Sequence, residues 1–161
     1  MTLLVNAKSR RWMKTLPGRV SSAAMILENS IGQVLIVKAN YKSYWTFPGG
    51  IIDPHETPKE AAIRETYEEV GITIDQQNVE FVAIVTRRSE YAETYQFIFK
   101  APLERGGPGG IILQASEIDE YALVTRDQVA TDDRNYGKVI EHWASERTGY
   151  IEQIFDESGH A

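Results

Sequence analysis

The spacing of hydrophobic and polar positions changes along this chain, and each change marks an element. Residues 20–27 are small and β-favouring, Glu28-Asn-Ser-Ile-Gly32 reads as a turn, and 33–38 carries the run Val34, Leu35, Ile36, Val37. Together they predict a β-hairpin. Residues 81–87 and 95–101 read as two more strands, and 120–124 as the last. Tyr136, Val139, Ile140 and Trp143 fall at i, i+3, i+4 and i+7, which is one face of a helix. Between the hairpin and the first helix lies an aromatic loop, Tyr41, Tyr44, Trp45 and Phe47, ending on the breaker Pro48-Gly49-Gly50. Residues 104–110 form a glycine-rich loop. No repeat or linker divides the chain, so one domain over 1–161 is expected, with 1–19 as an N-terminal lead-in. Strands interleaved with two helices predict an α/β or α+β sandwich.

The most informative helix is predicted over 58–70. Thr57-Pro58-Lys59-Glu60 is a capping box with proline at the first helical position, and Gly71 is placed to stop the helix. At 3.6 residues per turn, Glu65, Glu68 and Glu69 fall within an arc of about 100°. Ile63, Tyr67 and Val70 are expected to point the other way, toward a core. Like charges at these spacings repel, and Arg64 can offset Glu68 at i+4 but not all three acids. Two readings stay open at this point: a solvated acidic face, or a site for a hard cation. Oxygen ligands with no cysteine select Mg²⁺ or Mn²⁺ over zinc.

Composition narrows the function classes. At 161 residues with 42% hydrophobic content, the chain can bury a core without covalent staples. The absence of cysteine excludes disulfides and thiol chemistry and fits a reducing compartment. The N-terminus, Met1-Thr-Leu-Leu-Val-Asn-Ala-Lys8, lacks a basic n-region, and no apolar run approaches the ~18 residues of a membrane helix. A soluble, cytoplasmic protein is therefore expected. The net charge of −6 argues against binding duplex nucleic acid or an anionic membrane. That charge is uneven: Lys8, Arg10, Arg11, Lys14 and Arg19 precede the first acid, whereas residues 50–72 hold Asp53, Glu56, Glu60, Glu65, Glu68 and Glu69 against Lys59 and Arg64.

Residues 50–72, GIIDPHETPKEAAIRETYEEVGI, resemble the Nudix box. The matching positions are Gly50, Glu56, Arg64, Glu65, Glu68, Glu69, Gly71 and Ile72, and Trp45-Thr-Phe-Pro-Gly-Gly50 resembles the usual lead-in. Thr66 departs from the pattern by occupying an aliphatic slot, on the flank between the carboxylates and the core face. The resemblance implies an α/β/α sandwich with a mixed β-sheet between helices. It implies hydrolysis of a pyrophosphate bond in a nucleoside diphosphate linked to X, with Mg²⁺ or Mn²⁺ as cofactor. Glu65, Glu68, Glu69 and the Gly49 carbonyl would be metal ligands. Glu65, Arg64 and Glu68 would be the catalytic group, with Glu65 a ligand or the base and Arg64 an orienting residue. Gly50, Glu56, Gly71 and Ile72 would shape the motif. The expected partner is a small nucleotide, with a slight preference for nucleoside triphosphates, including oxidised ones, over ADP-ribose or another sugar nucleotide. A monomer or homodimer is expected. A binding module without turnover is the alternative of another class, and the retention of every box carboxylate weighs against it.

Outside the box the candidates are fewer. Glu117 and Glu120 are placed as a further ligand or base, with solvated loop acids as the plain alternative. Arg87 and Arg88 follow a strand and suit a phosphate or a surface pair. Tyr44 and Trp45, with Tyr41 and Phe47, suit either base stacking or core packing. His55, His142 and His160 have no spacing for zinc.

Overall fold

The computed structural model describes residues 7–89, 92–104 and 110–154. The glycine-rich loop predicted at 104–110 falls, over 105–109, outside the described residues, as do His160 and the first six residues of the lead-in.

The elements run α1 (Ala7–Met13), β1 (Val20–Glu28), β2 (Val34–Ala39), β3 (Gly49–Ile51), α2 (Pro58–Val70), β4 (Glu80–Arg88), β5 (Glu93–Pro102), β6 (Ile118–Val124), α3 (Arg126–Thr131), α4 (Lys138–Ala144) and β7 (Gly149–Ile154). Seven strands form one mixed sheet in the order β6-β2-β1-β5-β4-β7, with β3 on the β1 edge. β1 runs parallel to β5, and β4 runs parallel to β7; the other pairings are antiparallel. The predicted hairpin forms, although β1 and β2 pair in register only at Glu28 and Val34. A later strand, β7, follows the one expected to be last.

The apolar runs of β1 and β2 are continuous because both faces of these strands are covered. Ala23, Met25, Leu27, Leu35 and Val37 pack with Ala61, Ala62 and Val70 of α2. Ala24, Ile26, Val34 and Ile36 pack on the opposite face with Val139, Ile140 and Trp143 of α4. The result is the α/β/α layering expected. Phe47 is 1% exposed and meets Trp143 edge-on, 6.3 Å between centroids at 87°. Such a pair adds ~0.5–1.5 kcal/mol to its area burial.

One edge of β1 is shared, and this division opens the sheet. β2 takes the Glu28 end, whereas β3 takes Ser22, Ala23 and Ala24. Gly49 is required there, because a Cβ would lie 2.6 Å from Ala24 Cα. The aromatic loop is held to β2 by Val37 N–H donating to the Thr46 carbonyl at 2.8 Å. It is held to the segment before α4 by Trp45 N–H donating to the Asn135 carbonyl at 2.8 Å. This sewn loop forms one wall of a cleft beside β3.

Candidate active site

The cap that the sequence predicts for α2 is present in full. Thr57 N–H donates to Glu60 Oε2 at 2.8 Å, and Glu60 N–H donates to Thr57 Oγ1 at 3.3 Å. Gly71 closes the helix at φ 73°, its N–H donating to the Tyr67 carbonyl at 2.9 Å. The core face differs from expectation. Val70 is buried and Ile63 half-buried, but Tyr67 is 60% exposed. Thr66 takes its place in the interior at 0% exposure. Its hydroxyl is satisfied by donating to the Ala62 carbonyl at 2.7 Å, so the departure from an aliphatic residue leaves no buried polar group unpaired.

Arg64 is consumed by the protein. Nε and Nη2 donate to the two Glu56 oxygens at 2.8 and 2.9 Å, Nη1 donates to Glu65 at 2.8 Å and to Glu68 at 3.0 Å, and Nη2 also reaches the Ile51 carbonyl at 3.1 Å. The guanidinium thus ties the loop before α2 to two of the three helix carboxylates. Its Glu56 bond is the main cause of holding Glu56 below the usual carboxylate range. Gly50 is packed so closely on Glu65 that a Cβ there would overlap its carboxylate.

Glu69 is set apart by burial. It is 3% exposed, and its Oε2 accepts from Gly49 N–H at 2.9 Å. Desolvation dominates and pushes it up to about 7. Glu65 is half-buried and also raised, chiefly by desolvation and against the pull of Arg64. Glu117 is exposed, yet its charge acts on both Glu65 and Glu69. Glu120 is exposed on β6, opposite Lys38 in the ladder with β2.

Three carboxylates on one helix face suit a hard divalent cation in kind. As the side chains stand, Arg64 draws Glu65 and Glu68 to itself. Among the described residues, no three His, Cys, Asp or Glu side chains converge at metal-ligand spacing. Taking up a cation therefore requires rotation of these carboxylates away from the guanidinium. The donor set fits the ion; its resting arrangement is that of an Arg-held cluster.

Beside the cluster lies a cleft of about 870 Å³, lined among others by Tyr41, Lys42, Tyr44, Gly50, Arg87 and Gln96. Within this lining, burial lowers Lys42, and the charges of Glu69 and Glu65 act to raise it. Tyr41 is raised by burial and then by Glu69, Glu117 and Glu65. Arg87 lines the cleft, whereas Arg88 ion-pairs with Glu93 at 2.8 Å on the surface. Tyr44 also lines it, 40% exposed. Trp45 does not: it packs against the core on the α4 side, with the Arg134 guanidinium 5.8 Å from its ring. Phe47 is core as well. His55 is an exposed loop residue at φ 71°. Lys42, Gln96 and Gln153 were invisible to sequence patterns, since isolated polar residues in a loop and in two distant strands carry no motif. A second cavity, about 470 Å³ and bounded by Phe81, Val82, Trp143 and Gly149, includes no residue of α2 or β3.

Comparison with known proteins agrees with this geometry. Residues 18–143 match the family described as NUDIX domain. The chain is 42% identical over 62 residues to an RNA pyrophosphohydrolase of Stutzerimonas stutzeri, covering 38% of each chain. It is 46% identical over 52 residues to an RNA pyrophosphohydrolase of Aliivibrio fischeri, covering 32% of this chain and 31% of that one. The match thus spans only about a third of the length of these curated relatives. Among solved structures, a MutT protein of Bacillus halodurans superposes with a TM-score of 0.69 at 23% identity, covering 88% of this chain and 93% of that one. The NUDIX domain of Shewanella oneidensis NrtR, solved with ADP ribose, superposes with a TM-score of 0.64 at 14% identity, covering 82% and 89%. These likenesses give the fold a MutT-like form, and because the family match takes in well over half of its length, the chain belongs to the NUDIX domain family.

Proposed function

We propose that this protein is a divalent-metal-dependent pyrophosphohydrolase acting on a nucleoside diphosphate linked to X, with nucleoside triphosphates, oxidised ones included, as the first substrates to test. The observation that carries this function is the α2 carboxylate cluster beside a cleft with its own cations. Mg²⁺ or Mn²⁺, when bound, supplies the charge that lets a polyphosphate approach these acids and lowers the pKa of water.

The protein's own groups have separable roles. Glu68 and Glu69 would hold the cation through oxygen. Gly49 would add its carbonyl. In the ladder Met25 N–H donates to Pro48, and Gly49 N–H leaves the ladder for Glu69, so the polar groups of Gly49 face α2 rather than β1. Arg64, anchored to Glu56 and the Ile51 carbonyl, is an orienting residue for Glu65 and Glu68. Glu65, held beside Gly50 and Arg64, would be a further ligand or the base that takes a proton from the attacking water. Glu117, whose charge acts on Glu65 and Glu69, is the candidate for a further ligand or base. Lys42 and Arg87 offset phosphate charge in the cleft, and Tyr44 offers its ring to the base or sugar. The products are a nucleoside monophosphate with pyrophosphate or phospho-X.

A substrate panel with products identified by mass tests this. It should include nucleoside triphosphates, oxidised nucleotides, ADP-ribose and a 5′-triphosphorylated RNA, the last two because similar proteins are named for, or solved with, such molecules. Turnover of at least one above a Glu68→Gln control is expected; none on any would leave a binding module. Glu68 is half-exposed and outside the core, so that substitution leaves the fold intact.

A further inference from the structure

Arg87 is a half-buried cation held by uncharged groups. Its Nε donates to Gln153 Oε1 at 3.0 Å, and its Nη2 donates to Gln96 Oε1 at 2.5 Å. Among the described residues it forms no ion pair, unlike its neighbour Arg88 or the box residue Arg64. Burial pulls it below the usual guanidinium value, and among the described residues no carboxylate offsets this. Keeping a desolvated cation without a counter-charge is unfavourable. A glutamate at 96 or 153 would remove that cost and also neutralise the charge.

Behind Gln153 stands His142 on α4. Gln153 is 5% exposed, and its Nε2 lies 2.7 Å from His142 Nε2. Arginine can only donate, so Gln153 must turn its oxygen to Arg87 and its NH₂ to the imidazole. His142 Nε2 must then present a lone pair, which places the ring proton on Nδ1. In that tautomer the 3.3 Å approach of Arg147 Nη1 to Nδ1 is a contact between two donors. The charged groups acting on the ring are Arg147, Glu141 and Lys138 from α4 and its end, and Arg87 from β4; burial and three of these four oppose a second proton. A protonated ring would force the Gln153 amide to turn over and set NH₂ against the guanidinium.

We propose that Arg87 is a phosphate-binding residue whose charge is kept available by Gln96 and Gln153, and that His142 is a positioning residue that holds the Gln153 amide in the orientation Arg87 needs. The ligand class is the phosphate chain of a nucleotide, met at a point farther along the cleft than the carboxylates. This rests on the cleft being the nucleotide site.

Gln153→Glu separates the proposal from a packing role. It is nearly isosteric and pairs the buried cation, so the folded protein should melt no lower than wild type. Binding of a nucleoside triphosphate analogue with methylene bridges, which cannot be cleaved at those positions, is measured by calorimetry with Mg²⁺ present. Gln153→Glu and Arg87→Met should each weaken binding about tenfold, the first by neutralising the cation and the second by removing it. His142→Leu should weaken it about threefold or more through the freed amide, and His142→Gln, which offers an acceptor oxygen, should restore it to within about twofold. If His142→Leu melts below the assay temperature, the Gln153→Glu and His142→Gln arms decide. Binding by Gln153→Glu within about twofold of wild type, or no binding to wild type, would overturn the proposal. The expected pattern without turnover of any nucleotide would remove the hydrolase function and leave this site standing. Turnover with an indifferent Gln153→Glu would do the reverse.

Discussion

Glu69 is a single residue whose burial works against stability. It is buried at 3% exposure with a single neutral donor, Gly49 N–H, on its carboxylate. Its folded-state value of about 7 lies above an ordinary carboxylate value of 4.5. Between those two pH values the folded protein binds the extra proton, so stability falls as pH rises through the window and the full penalty is present above it. Glu69→Gln keeps an acceptor for Gly49 and removes the charge. Denaturant unfolding in EDTA should show the variant more stable than wild type by roughly 1–3 kcal/mol at pH 8 and nearly equal at pH 4.5, while turnover is lost. Equal stability at pH 8 would mean that the carboxylate is better solvated than its burial indicates. Gly50 makes a second residue-scale case. Its neighbour across the turn is the Glu65 carboxylate, into which a Cβ would project. Gly50→Ala should lower kcat at least tenfold by displacing Glu65, with a smaller change in KM, as steady-state kinetics would show.

At the scale of elements, α2 was legible because its signals are local. The capping box, the proline and the terminal glycine lie within fifteen residues, and each is used as expected. Thr57→Ala should therefore cost about 1 kcal/mol in denaturant unfolding, with turnover per folded molecule unchanged. The helix faces were less legible. The sequence reading puts Tyr67 inward, but the buried face runs through Ala61, Ala62, Thr66, Glu69 and Val70, and Tyr67 is left exposed. Glu69 lies on that buried face, which gives one carboxylate of three a character that spacing alone does not distinguish. β3 and β7 escaped notice for another reason. β3 is three residues, two of them glycine, and exists through pairing with β1. β7 alternates buried Ile151 and Gln153 with exposed neighbours and pairs in parallel with β4, more than sixty residues earlier. Long-range pairing of that kind leaves no local periodicity, so the Arg87–Gln153–His142 contact was not readable from the chain.

For the whole molecule, the net charge of −6 and the location of the acids set the electrostatic problem. Four glutamates, Glu65, Glu68, Glu69 and Glu117, act in one region, countered by Arg64 and a half-buried Lys42. The folded protein gathers these charges, whereas the unfolded chain spreads them apart. A ligand that binds the folded state alone adds stability by mass action, and a divalent cation is the ligand this arrangement favours. Mg²⁺ should therefore raise the melting temperature at pH 8, in proportion to the logarithm of its concentration once the site fills. At saturation near a hundred times the dissociation constant, the gain should be about 2.7 kcal/mol. KCl at matched ionic strength screens repulsion but offers no ion that bridges carboxylates, so it should give much less. In Glu69→Gln the Mg²⁺ increment should shrink, while the variant starts from a higher metal-free melting point. Scanning calorimetry of both proteins in EDTA, MgCl₂ and KCl separates the three contributions. An identical rise from the two salts would show that the acids form only a screened surface cluster, and activity retained in excess EDTA would carry the same conclusion into function.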